Sequence, residues 1–142
     1  MMLMIPKGYE KSEPNALPSA EMIAEMTKYN EALTKAGVLL SLDGLHPPSK
    51  ATRRTFHGGK ATVVDGPFAE AKEAVGGYWL IQVKSKEGAV EWARRCPAQD
   101  GDAIEVRQVQ ELSDFPPEVL PPGFSERLQE IGYGQQRKPA KP

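Results

Sequence analysis

An α+β fold is predicted by three features of this sequence: short apolar runs bounded by turn residues, two helical stripes with capping residues, and a Gly-Gly pair between two extended segments. In chain order these read strand, helix, strand, hairpin, strand, helix, strand. Two strand-helix-strand units around a hairpin imply an antiparallel or mixed sheet with both helices on one face, a ferredoxin-like arrangement.

The apolar run Met1 to Ile5 fits a buried central strand, and Pro6, Gly8 and Pro14 mark the loop after it. From Ser19 to Ala36 the residues Met22, Met26, Tyr29, Leu33 and Ala36 recur at steps of four and three, which puts them on one helical stripe. Ser19 is placed to cap that helix and Gly37 to end it. Val38 to Leu45 reads as a second strand, stopped by Gly44 and Pro47-Pro48. Ala51–His57 and Lys60–Asp65 flank Gly58-Gly59, a pair that supplies the positive φ angles of a tight hairpin turn. Tyr78, Trp79, Leu80, Ile81 and Val83 are strongly β-prone and predict a central strand over 77–83. Ser85 then caps a helix to about Cys96 whose Ala89, Trp92, Ala93 and Cys96 face one way, with Pro97 closing it. Ile104, Val106 and Val109 suggest the last strand. Two helices cover only one face of such a sheet, and its strands are apolar on more than alternate positions, so the bare face is expected to pack against a second subunit in a homodimer.

At 142 residues the chain suits one domain, read as residues 1–112, followed by a Pro-rich C-terminal arm or tail over 113–142. Pro116-Pro117 and Pro121-Pro122 make rigid corners in that arm, Ser125 to Ile131 predicts a short helix, and Gln135 to Pro142 is polar and basic with a frayed end. A net charge of -1 supplies none of the positive field that binding to DNA or RNA needs, so no direct nucleic-acid contact is expected. The apolar runs are far short of a membrane span and the single Cys96 has no intrachain disulfide partner, which together imply a cytoplasmic protein without membrane contact.

No metal, nucleotide or cofactor motif is present, and no cofactor is expected. The conspicuous segment is Asp65-Gly66-Pro67-Phe68-Ala69-Glu70-Ala71-Lys72-Glu73. Asp65 is placed to cap the Gly66-Pro67 turn through backbone N–H groups. Glu70 and Glu73 share a face of any short helix there, where Lys72 answers one of them. Two neighbouring carboxylates raise one another's pKa, and His46, following the second strand, titrates near neutrality when unperturbed. His46, Asp65 and Glu70 are therefore the candidate catalytic residues, and Lys72, Glu73 and Tyr78 the candidate ligand contacts. A cap, a turn and a solvated ion pair account for the same letters without chemistry. Cys96, at a helix C-terminus where the dipole disfavours a thiolate, reads as a small core residue.

Asp65-Gly66-Pro67-Phe68-Ala69-Glu70 with Lys72-Glu73, then Gly76-Gly77-Tyr78, Glu91-Trp92-Ala93, Arg95-Cys96-Pro97 and Ile104-Glu105-Val106-Arg107 resemble, in order and spacing, the DGPF branch of the YCII-related family of small bacterial proteins. Gly44-Leu45-His46-Pro47-Pro48 looks like that branch too, and the resemblance covers roughly residues 1–111. It implies a ferredoxin-like fold that dimerises through its sheets into a dimeric α+β barrel, and brings no established reaction. Shorter members pair a His in the first helix with an Asp after the second; here that Asp position holds Cys96 and residues 19–36 contain no His, so the dyad is absent. Members of the branch are often encoded beside extracytoplasmic-function sigma factors, which implies a link to transcriptional regulation. Three functions follow as expectations: a dimer binding a small molecule in a cleft near Asp65 and His46; an acid-base enzyme of isomerase, lyase or hydrolase type using His46 with Asp65 or Glu70; or an interaction module for a sigma factor, mediated by the C-terminal arm.

Overall fold

A computed structural model describes residues 1–132 of the chain. Its strands are β1 (Met2–Ile5), β2 (Leu39–Gly44), β3 (Thr52–His57), β4 (Lys60–Asp65), β5 (Gly77–Ile81) and β6 (Ala103–Val106), and its helices α1 (Ala20–Lys35), α2 (Lys86–Arg94) and α3 (Phe124–Glu130). Four strands form one sheet in the order β2-β5-β1-β6, with every pairing antiparallel. Among the described residues β3 and β4 pair only with each other, as a separate two-stranded ribbon.

Register explains the core. Met2 stands opposite Trp79 and Val106, Leu42 opposite Trp79, and Met4 opposite Ile104, so these side chains share one face of the sheet. Both long helices pack on that face: Tyr29 and Leu33 of α1 join Met2 and Trp79 in the buried centre, with Met26, Trp92, Ala93 and Cys96 packed around them. Tyr29 meets Trp79 edge-on at 5.7 Å and Trp92 at 6.4 Å, and its hydroxyl donates to the Trp92 carbonyl at 2.8 Å. The Trp79 indole N–H donates to the Asn30 side chain at 2.8 Å, so the polar atoms of the Tyr29 and Trp79 side chains are both satisfied. The helical stripe read from sequence is buried only in part: Met22 stays exposed at the first turn, whereas Leu33 is fully enclosed.

The local signals act as read. The Ser19 hydroxyl accepts from the Met22 N–H and that of Ser85 from the Gly88 N–H, capping α1 and α2. Gly58 and Gly59 hold φ of 56° and 74°, the pair of positive angles that closes the ribbon. α3 falls where the short C-terminal helix was expected, after a 3-10 turn over Leu112–Asp114 and another over Pro117–Val119. The basic stretch from Gln135 to Pro142 lies outside the described residues.

The ferredoxin-like dimeric α+β barrel expected above is corrected to an α+β fold with an open antiparallel sheet. Among the described residues β2 and β6 are its two unpaired edges, and no strand closes one onto the other. The sheet of the described chain stays open at both edges, and the hairpin runs off as its own ribbon instead of adding to it. The face away from the helices carries Leu3, Ile5, Tyr78 and Leu80, none of them exposed within the single chain. Among the described residues no helix is long and apolar enough to cross a membrane.

Candidate functional site

The residues singled out in the sequence gather where the ribbon joins the sheet. The backbone brings them there in two steps. First, the β2–β5 ladder runs on past Gly44 through a hydrogen bond from the Leu45 N–H to the Gly76 carbonyl at 2.9 Å, while the Gly76 N–H donates to Met4 at 2.8 Å. The Tyr9 hydroxyl donates to the Leu45 carbonyl and fastens the loop after β1 over this end. Second, the Gly66 N–H donates to the Ala51 carbonyl at 2.8 Å, and Gly66 lies so close to the Pro48 carbonyl that a Cβ there would sit 1.8 Å from its oxygen. The strand end that carries His46 and the ribbon end that carries Asp65 are thus in backbone contact through the 48–51 turn.

Their side chains are nevertheless committed elsewhere. Asp65 does not cap the Gly66-Pro67 turn as expected; its carboxylate accepts from the Thr52 hydroxyl at 2.7 Å, across the base of the ribbon. Register requires this, because Thr52 and Asp65 are directly opposed in the β3–β4 ladder and point to the same face. Glu70 pairs with Arg53 at 3.2 Å rather than with Lys72, and the Arg53 guanidinium also lies 3.9 Å over the ring of Phe68. No helix forms over 66–76; a single turn closes from the Phe68 carbonyl to the Ala71 N–H, so Glu70 and Glu73 do not share a helical face. Lys72 and Glu73 are exposed and form no ion pair among the described residues. His46 is exposed and makes no hydrogen bond or ion pair among them. Tyr78 donates its hydroxyl to the Asp43 carboxylate at 2.7 Å, across β5 and β2.

The residues that sequence reasoning missed are Thr52, Arg53 and Phe68. Phe68 is only 7% exposed and is the buried anchor of the segment. The ring lies over the Arg53 guanidinium and the carboxylate of Glu70 accepts from its Nη1, so the acidic segment works as a socket for the root of the ribbon. Above that root every residue of both strands is exposed. Because the Thr52–Asp65 bond is solvent-exposed, removing it by Asp65→Ala is expected to cost about 0.5–1 kcal/mol. A double-mutant cycle with Thr52→Val, followed by denaturant unfolding, checks this. If the two losses add fully, the bond contributes nothing.

Two open depressions are formed elsewhere. One of about 370 Å³ lies between α1 and the edge strand β2, lined by Asn30, Glu31, Thr34, Lys35, Leu39 and Leu42 among others. The other, about 650 Å³, lies between α2 and β6 beside Cys96. Neither includes His46 or any residue of 65–78. Burial pushes the Cys96 thiol up to about 11, with the Asp102 charge adding to the effect, so it stays a thiol near neutrality and is a poor nucleophile. Burial likewise holds the Tyr29 phenol well above its ordinary range, in keeping with a core role as a hydrogen-bond donor. Among the described residues no group of three His, Cys, Asp or Glu side chains stands together as a metal site would require.

An uncharacterized protein of Rhizobium meliloti (strain 1021) is 32% identical to this chain over 73 residues. That stretch spans 51% of this chain and 59% of the relative. The YCII-related domain matches residues 2–113, which takes in every strand from β1 to β6 together with α1, α2 and the ribbon. The chain therefore belongs to the YCII-related family.

Proposed function

We propose that this chain is a protein-binding domain of the DGPF branch of its family, and that its contact surface is the β3–β4 ribbon. The observation that carries this reading is the contrast within one hairpin: a clamped root and a wholly exposed body. An isolated two-stranded ribbon is marginal in water, yet this one keeps Phe56, Val63 and Val64 in solvent and is fastened only at its base. Apolar side chains on a projecting, anchored ribbon with two free strand edges fit a polypeptide partner. The acid-base reading has less support, since Asp65 and Glu70 are exposed and already bonded to Thr52 and Arg53.

A photoreactive phenylalanine analogue at position 56 tests the surface directly, with the same analogue at Val90, exposed on α2, as the control. Irradiation in the native cell is expected to give a polypeptide adduct from position 56 and none from position 90, with the partner read from its peptide masses. A sigma factor, suggested by the branch, is one identity that experiment would reveal. Absence of any adduct at position 56 removes the ribbon reading.

Small-molecule binding has one observation in its favour, the depression between α1 and β2, where Leu39 and Leu42 give an apolar floor beside Asn30, Thr34 and Lys35. It replaces the ribbon reading if the adduct fails and a metabolite stabilises the native chain but not Thr34→Trp, in which the depression is filled.

A further inference from the structure

The depression between α1 and β2 is lined by polar groups whose existing hydrogen bonds fix what each has left to offer. The Trp79 indole N–H can only donate, so Asn30 must turn its side-chain oxygen to it, and does so at 2.8 Å. The Asn30 amide nitrogen then points away from the indole. Its two N–H groups meet no acceptor among the described residues. Since no buried side-chain nitrogen among these residues lacks a partner, they are open to the depression that Asn30 lines. One turn further on, the Thr34 hydroxyl gives its proton to the Asn30 carbonyl at 2.9 Å, and the Thr27 hydroxyl donates to the Ile23 carbonyl at 2.8 Å. Both hydroxyls can therefore only accept from a ligand. Leu39 and Leu42, half-buried, form the apolar floor beneath them.

These fixed polarities select among ligands. A carboxylate satisfies Asn30 but sets its lone pairs against those of Thr34 and Thr27. An ammonium satisfies the hydroxyls but sets its protons against those of Asn30. Glu31 and Lys35, four residues apart at the exposed rim and opposite in sign, favour neither. A carboxamide carries an acceptor and a donor side by side, and Asn30 and Thr34, also four apart, are neighbours on one helix face. The depression, about 370 Å³, is within the range of small-molecule sites.

We infer that this depression binds a neutral small molecule made of an apolar body and a carboxamide, with the body on Leu39 and Leu42, the carboxamide oxygen on Asn30 and its N–H on Thr34. This rests on the small-molecule reading of the depression and names its ligand class; it is independent of what the ribbon binds.

Proton–nitrogen NMR of the full chain tests it, because the Asn30 side-chain amide is itself a reporter. Three probes share one body: phenylacetamide, phenylacetate and 2-phenylethylammonium. Phenylacetamide is expected to shift the Asn30 side-chain signals and the backbone amides of Leu39 and Leu42 to saturation, and the other two to bind about tenfold more weakly, the scale of one polar group left unpaired. Asn30→Asp keeps an oxygen for the indole but replaces the donors with a second carboxylate oxygen, so preference is expected to pass to 2-phenylethylammonium, read from Leu39 and Leu42. That reversal also shows the variant to be folded. Thr34→Val removes the acceptor while keeping the shape, and is expected to weaken phenylacetamide about tenfold and to spare phenylacetate. If no probe shifts these signals, the inference and the small-molecule reading of the depression fall together. If phenylacetate or 2-phenylethylammonium binds wild type as tightly as phenylacetamide, or if either variant keeps the wild-type order of preference and affinity, the carboxamide assignment falls and the depression is left to another class of ligand.

Discussion

Gly66→Ala is expected to destabilise the protein by about 3 kcal/mol, at the upper end for a small-to-large change in a packed site. The added Cβ would fall 1.8 Å from the Pro48 carbonyl oxygen, 2.8 Å from its carbon and 3.3 Å from the Ala51 carbonyl oxygen. These are backbone atoms, so no rotamer change relieves the clash, and relief means parting the ribbon root from the 48–51 turn. The Gly66–Ala51 hydrogen bond would be lost in the same movement. Thermal unfolding measures the loss, and amide exchange locates it: protection should fall in β3, β4 and residues 66–71 before it falls in β1 or β5. Gly44→Ala is the control, because nothing lies within 4 Å of a Cβ at that position. If the two alanine variants unfold at the same temperature, Gly66 is not the tight contact described and the socket is looser than its geometry.

That residue also marks where reading the sequence ran short. Periodicity, caps and the Gly-Gly turn located the helices and strands because each is a local signal, set by residues within one or two turns of each other. The bond from Thr52 to Asp65 is also local once the hairpin register is known, since a two-residue turn fixes every pair along the ladder. The socket is different. Arg53 precedes Glu70 by 17 residues and the Pro48–Gly66 approach joins two loops, so nothing in spacing or composition distinguishes Glu70 with Arg53 from Glu70 with the nearer Lys72. Proximity in sequence favoured Lys72; the fold brings Arg53 instead, because Phe68 is buried and turns the chain back across the ribbon root. The place of the hairpin was illegible for a related reason. Strand propensity says that 52–57 and 60–65 are extended, but not whether they continue the main sheet or leave it, and their alternate-face hydrophobicity is too weak to hold them on the core.

The core itself can be tested on one helix. Leu33→Ala should cost about 3 kcal/mol, near the lower end of the range for a fully enclosed leucine, and lower the unfolding temperature by about 10 °C for a domain of this size. The side chain is fully buried between Met2, Tyr29 and Trp79, and neighbours held by register and by hydrogen bonds to Asn30 and Trp92 cannot easily collapse into the space. Ile23→Ala, ten positions earlier on α1, removes a side chain that is 52% exposed, and alanine's higher helix propensity, worth up to about half a kcal/mol, offsets what little packing is lost. A near-neutral Ile23→Ala beside a severe Leu33→Ala would place the docking of α1 in its C-terminal half, where the sheet face carries Leu39 and Leu42. Comparable losses at both positions would mean that the N-terminal half of the helix is also covered in solution, by a surface that one chain does not supply.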